Sequence, residues 1–368
     1  MTDCLICGTP VETFISFGWM PIANGFLMPD QFPSEYFFEL RVGFCLQCGM
    51  VQLIEQPDRE RMFNENYAFF SSTSTRMAAH FKAFAGQVMA GYLTSPNPLV
   101  VEVGSNDGIM LQHFANAGIR HLGIEPSANV ADVAIHNGIR TVCRFFDENL
   151  AREIVAEQGQ ADAFLGANVM CHIPYLHSVA AGIGILLKPK GIVMFEDPYL
   201  GDIVEKTSYD QIYDEHAFYF SVASISYLFE QHGMQVVDIQ PQNVHGGSMR
   251  YVIAHRGTYP VSPSVKNQRE KEDFLGLQQA ETFEQLRRNI ERSRENLMAL
   301  LQTIQHQGRR VVGYAATSKS TTVSLLQKSQ KRISKNLFRR NLRASVIGFL
   351  ISIPSEAFSM MGFYPLGI

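Results

Sequence analysis

A mostly parallel α/β sheet with a small cysteine-bound module ahead of it is the fold that this chain predicts. Three observations point there. Between about residues 75 and 255, the apolar runs "NPLVVEVG", "HLGIEP", "ADAFLGAN", "KGIVMFED", "MQVVDIQ" and "SMRYVIAHRG" alternate with helical patterns. Such alternation builds βαβ units. Four of the six cysteines fall as two C-x-x-C pairs near the N-terminus. From about 266 to 308 the pattern turns helical, and "RRVVGYAATSKSTT" then reads as a strand, a turn and a helix start. The chain accordingly divides into a zinc-binding domain (1–70), an α/β sheet domain (71–258) and a C-terminal α/β domain (259–368).

Bulk properties narrow the function. With 368 residues, 46% hydrophobic and 18% charged, the chain is long enough for two or three packed domains and too apolar to be disordered. A net charge of −4 argues against a broad nucleic-acid-binding face. The start, "MTDCLICGTP", has neither a basic n-region nor an apolar h-region, and "SVIGFLISIP" is far short of a membrane span. A cytoplasmic protein with reduced thiols is expected, with no membrane partner. In that compartment cysteines more often bind metal than pair as disulfides.

"CLICG" and "CLQCG" supply Cys4, Cys7, Cys45 and Cys48. Each spacing lets both sulfurs of a pair reach one ion, and the following glycine turns backbone N–H groups toward the thiolates. Four thiolates close a tetrahedral site with no open position for water, so the ion expected is a structural Zn2+. The long connection between the pairs is expected to build surface, with "PIANGF" (21–26) facing a ligand. Cys143 and Cys171 are expected in the core.

"LVVEVGSNDGIMLQHF" reads as strand, tight turn and helix start. Gly104 and Gly108 permit close backbone approach, but they do not spell the G-x-G-x-x-G of a dinucleotide cradle. Glu125 ends the next strand, where a carboxylate suits the two hydroxyls of a ribose. A ribose carboxylate without a pyrophosphate loop suggests a nucleoside ligand lacking phosphate, and S-adenosylmethionine (SAM) is one. Glu102 is placed to meet its cationic methionine part. Asn106 and Asp107 sit in the turn, Phe145 and Phe146 lie beside the adenine site, and Asn168 ends the fourth strand.

"YDQIYDEHAFYF" (209–220) sets Tyr213, Glu215 and His216 almost side by side. Methylating carbon requires removal of a proton next to a carbonyl, by a base, while a donor steadies the enolate oxygen. His216 has the ordinary pKa for the base. Tyr213 can donate to the oxyanion. Glu215 can fix the imidazole tautomer or hold a substrate hydroxyl. No catalytic metal is needed.

Taken in order, "CLICG…CLQCG", "VVEVGSNDGIML", "ANVMCHIPYL", "YDQIYDEHAFYFS" and "HGGSMR" make the chain similar to the sugar C-methyltransferases of the class I SAM-dependent superfamily. Those carry an N-terminal zinc domain and a C-terminal nucleotide-sugar domain. The resemblance runs to about residue 322. It implies a Rossmann-like class I methyltransferase sheet, and C-methylation next to the keto group of a nucleotide-linked 4-keto-deoxysugar. It also implies His216 as the base, with Tyr213, Glu215, His172 and Tyr67 as its neighbours. "VHGGSMRYV" is expected as a loop at the substrate pocket, carrying Arg250. Leu286, Ile290, Leu297, Leu300 and Leu301 are expected as a core stripe on the long helix.

"VVGYAATSKSTT" nearly matches a P-loop but has Ser318 where the second glycine belongs, so nucleoside triphosphate hydrolysis is not expected. By the resemblance, Ser318, Lys319 and Ser320 line the sugar nucleotide's site. The end of the chain departs: seven basic residues and one acidic one follow position 322, and the C-terminal domain is atypical there. A small-molecule O-methyltransferase, a zinc-ribbon nucleic-acid module and an inactive family member are the rival readings. A monomer is expected.

Overall fold

The computed structural model describes residues 2–25, 27–309 and 318–325. The N-terminal strands are β1 (Glu12–Pro21), β2 (Phe37–Phe44) and β3 (Val51–Leu53). Next come β4 (Leu99–Val103), β5 (Arg120–Ile124), β6 (Thr141–Val142), β7 (Ala161–Ala167), β8 (Leu187–Pro198), β9 (Phe218–Tyr219), β10 (Met234–Gln242) and β11 (Ser248–His255). Seven of them make the main sheet, in the order β10-β11-β8-β7-β4-β5-β6. β11 is antiparallel to both its neighbours, and the pairings from β8 to β6 are parallel.

The composition of the strands explains this layout. All five residues of β4 are buried. A strand covered by helices on both faces reads as a continuous apolar run, and that is what parallel pairing requires. β5 and β7 leave β4 on opposite sides, so a crevice opens beyond the carboxyl end of β4, where ligands of open α/β sheets sit.

The smaller sheet, β1-β2-β3-β9, was not legible from sequence. Its last strand comes from the 209–220 stretch: Val51 pairs with Tyr219 and Gln52 with Phe218. This pairing ties the cysteine-bearing module to the segment that holds His216.

Two helices lock the remainder. In α1 (Pro263–Leu275), the buried Glu272 accepts from Val222 N (2.6 Å), Ala223 N (2.9 Å) and the Tyr199 hydroxyl (3.0 Å). A carboxylate thus caps the amino end of α2 (Val222–Glu230), where the helix dipole favours negative charge. On α3 (Ala280–His306), Phe283, Leu286 and Ile290 are buried, with Phe283 4.3 Å from the Phe44 ring centroid. Leu297, Leu300 and Leu301 are only half-buried. The fully buried part of the stripe therefore ends at Ile290.

Two other expectations are corrected. Cys143 is exposed, on the surface after the short β6 rather than in the core, whereas Cys171 is buried. Arg250 does not reach the substrate pocket. Its guanidinium pairs with the buried Glu196 (2.7 Å) and lies over the Phe84 ring, a neutralised ion pair inside the core. Of the expected strand, turn and helix start near 310–322, the helix runs Ser318–Leu325; 310–317 and the basic end lie outside the described residues. No helix among the described residues is long and apolar enough to cross a membrane.

Candidate active site

The four cysteines converge. Cys4 Sγ lies 3.5 Å from Cys48 Sγ, and Cys7 Sγ lies 3.3 Å from Cys45 Sγ. All four sulfurs fall within 4.8 Å of one another. Tetrahedral zinc with bonds of about 2.3 Å puts its sulfurs roughly 3.7 Å apart, so the cluster fits that ion with little movement. Gly8 and Gly49 adopt φ of +74° and +69° just after each pair, the turn that swings amide groups back onto sulfur. Ile6 N bonds Cys4 Sγ at 3.4 Å. The site is closed and lies away from the main cavity, which makes the zinc structural.

That cavity, about 530 Å³, opens at the carboxyl ends of β4, β5, β7 and β8. One end is lined by Gly104, Asn106, Glu125, Phe145, Phe146 and Asn168. Gly104 has φ +62°, and a Cβ there would fall 2.6 Å from Val169, so the turn at the cavity wall needs glycine. Glu125 accepts from Asn106 N (3.0 Å) and Ser127 N (2.8 Å), one bond per oxygen. Each oxygen keeps a lone pair for a ribose hydroxyl. Burial pushes its carboxyl above the usual range. Asn168 holds φ +53°, and its Oδ1 is buried without a partner. This end fits the nucleoside half of SAM.

Three of the expected cofactor residues do not line the cavity: Glu102, Asp107 and Gly108. Glu102 is buried behind the turn with Oε2 unpartnered, and burial together with Glu125 raises its pKa. Asp107 Oδ2 accepts from Ser72 N (2.9 Å), and its Oδ1 is buried without a partner. Gly108 backs onto Ile139, where a Cβ would come within 2.8 Å. The sequence reading puts Glu102 at the end of the strand and Asp107 and Gly108 in the turn after it, and position along this segment does not by itself tell which residues face the cavity.

The opposite end gathers Tyr67, His172, Tyr213, Glu215 and His216. His216 Nδ1 lies 2.7 Å from the Gln211 carbonyl, and Nε2 lies 2.7 Å from the Tyr213 hydroxyl. A carbonyl only accepts, so the proton sits on Nδ1, and Nε2 carries a lone pair toward the phenol. Burial, then His172 and Lys319, depress the His216 pKa well below the ordinary value, keeping the ring neutral. His172 stacks on Phe63 and lies 5.1 Å from the His216 ring. Its Nε2 is buried without a partner, and burial pushes its pKa down to about 3. Burial beside Asp214 pushes Glu215 up to about 8.

Several lining residues were missed. Asn24, within the stretch expected to face a ligand, donates to Glu215 Oε1 (2.5 Å) and to Ser318 Oγ (2.9 Å); Phe26 of that stretch lies outside the described residues. Arg59 lies over the rings of Phe145 (4.2 Å) and Tyr175 (4.6 Å), and Arg144 and His245 line the cavity. Arg59 carries no local motif, so its role depends on a loop path that only the fold reveals. Ser318 and Lys319 also line the cavity; nothing is described of the Ser320 side chain.

A doubly wound sheet, a nucleoside-fitting crevice and a histidine-phenol pair in one cavity define a SAM-dependent methyltransferase carrying its own structural zinc. Three family models cover the chain in succession: "Putative zinc binding domain" over residues 4–63, "Methyltransferase domain" over 73–239 and "C-methyltransferase C-terminal domain" over 243–333. The last runs past Thr322, further than the resemblance read from sequence. The C-methyltransferase NovU of Streptomyces niveus is 31% identical over 324 residues, covering 87% of this chain and 77% of the relative. The chain belongs to this family of SAM-dependent C-methyltransferases. Among solved structures, magnesium protoporphyrin IX methyltransferase from Synechocystis PCC 6803 is 15% identical, covering 48% of this chain and 83% of its own, with TM-score 0.38. A protein from Pyrococcus horikoshii OT3 is 13% identical, covering 51% and 95%, with TM-score 0.41.

Proposed function

We propose that the enzyme methylates a carbon next to the keto group of a nucleotide-linked 4-keto-deoxysugar, and that His216 removes the proton. The observation that carries this is the tautomer: Nδ1–H is fixed on Gln211, and the Nε2 lone pair stands at the inner wall of the same cavity as the SAM site. SAM supplies an electrophilic methyl group there.

The chain's own groups do the rest. The sugar's carbonyl oxygen takes the Tyr213 hydroxyl as donor, which releases Nε2. Nε2 accepts the proton from the neighbouring carbon, and the negative charge moves onto the oxygen held by Tyr213. Burial keeps that phenol protonated and able to donate. Glu215, neutral near pH 7 and anchored by Asn24, holds a sugar hydroxyl. Ser318 and Lys319 take the diphosphate. An anion beside Lys319 offsets one of the charges that depress the His216 pKa, so substrate binding strengthens the base. The cavity's apolar walls exclude water and hold the reacting carbon near the donor.

Incubation with methyl-labelled SAM and a panel of nucleotide 4-keto-deoxysugars tests this. Label is expected on carbon next to the carbonyl of one panel member. Label on oxygen, or transfer only to acceptors without a ketone, contradicts it.

A further inference from the structure

Residues 67–70 belong to no helix or strand, Ser71–Thr73 form a single 3-10 turn, and Phe69 is 51% exposed. Yet they line the cavity through Tyr67, Ala68, Phe69 and Ser71. Side chains of the methyl donor's half hold them there. Asn129 Nδ2 donates to Tyr67 O (2.7 Å) and Asn106 Nδ2 to Phe69 O (3.0 Å). Asn106 Oδ1 accepts from Ser71 N (2.9 Å) and Asp107 Oδ2 from Ser72 N (2.9 Å).

We propose that Asn129, Asn106 and Asp107 are positioning residues that set Tyr67 in the reaction centre, so that one hydrogen-bonded strap registers the methyl donor's site against the acceptor's. This rests on the reading of Tyr67 as part of that centre.

Two further features support it. Asn106 holds φ +49°, a left-handed backbone that glycine adopts more easily. The backbone alone therefore does not call for asparagine, whereas its amide makes two of the four strap bonds. Asn106 N also binds Glu125, so a single residue links the ribose carboxylate to the strap. The Tyr67 phenol in turn feels both Glu215 and Glu125, one carboxyl from each end of the cavity. Its ring stands 5.6 Å from Phe63, which stacks on His172. Neither Asn129 nor Asp107 lines the cavity, so their influence on turnover passes through the strap.

A double-mutant cycle tests the proposal on the full chain. Asn129→Ala is expected to lower kcat about tenfold at saturating SAM and sugar, since misplacing a group by an ångström costs that much or more. The KM for SAM and the thermal midpoint should stay within about twofold and about 2 °C. In a Tyr67→Phe background, the same substitution should cost less than about twofold. Asn106→Gly, which suits the left-handed turn but removes two strap bonds and a side chain of the cavity wall, should lower kcat at least as far. Equal losses in both backgrounds, a loss that tracks the thermal midpoint, or an unaltered kcat for Tyr67→Phe overturns the proposal. Amide exchange with S-adenosylhomocysteine present reads the strap without any sugar. Asn129→Ala should speed exchange in peptides spanning 67–72 and nowhere else. Unchanged exchange overturns the proposal whatever the acceptor is, and a failed sugar panel with faster exchange faults only the acceptor.

Discussion

The two ends of the cavity put their polar groups to different uses. At the end that fits a nucleoside, Glu125 holds two amides and Asn106 and Asp107 hold the strap, while Asn168 Oδ1 and Glu102 Oε2 are buried without a partner. At the reaction end, His172 Nε2 has no partner, His216 is neutral with a lone pair facing a phenol, and Glu215 is kept protonated by burial. The first end is a preformed mould. The second sets a neutral imidazole, a phenol and a protonated carboxyl within reach of one another, an arrangement suited to moving a proton.

Substitutions should expose that contrast. The largest effect is expected at the base: His216→Asn should lower kcat by roughly 10³- to 10⁴-fold, about 4–5.5 kcal/mol, with the KM for SAM nearly unchanged. Steady-state kinetics with both substrates varied checks it; a raised KM for SAM with intact kcat would move His216 to the other end of the cavity.

Next is a pH effect on stability. The folded-state pKa of Glu215 is raised from 4.5 to about 8. Its protonated form is the one the fold accepts, so its contribution is fully present below about pH 4.5 and is lost as pH rises through 8. Glu215→Gln has no such loss. The variant should gain on wild type between pH 5 and 8 by on the order of 4 kcal/mol. Denaturant titrations across that range measure the gap, and a constant difference contradicts a buried neutral carboxyl.

The smallest effect belongs to the mould. Glu125→Gln keeps one acceptor and should raise the KM for SAM roughly tenfold, about 1.4 kcal/mol, leaving kcat alone. A tenfold fall in kcat instead would erase the distinction between the two ends.

The same contrast explains what could be read from sequence. Zinc ligation demands fixed spacing and one residue type, so Cys4, Cys7, Cys45 and Cys48 were legible. So were β4, β5, β7 and β8, because parallel burial leaves unbroken apolar runs, and the antiparallel pair β10 and β11, each eight or more residues long. β6 and β9 have two residues each, too few for any period to show. Tyr213, Glu215 and His216 were legible as a local cluster. Asn24 and His245 lie in stretches expected at the pocket, "PIANGF" and "VHGGSMRYV", but no residue-level signal singled them out, and nothing local marks Arg59. In the glycine turn, composition named the right segment but not which side chains face outward. Asp107, expected at the ligand, does not line the cavity, and one of its oxygens holds Ser72 N.

Exchange of the sugar's hydrogen with solvent tests the central claim most directly. Wild-type enzyme with S-adenosylhomocysteine and the keto sugar in D2O should replace the hydrogen next to the carbonyl with deuterium, without methyl transfer, and His216→Asn should not. Retention of that hydrogen by the wild type, or equal exchange by the variant, would contradict proton removal by His216.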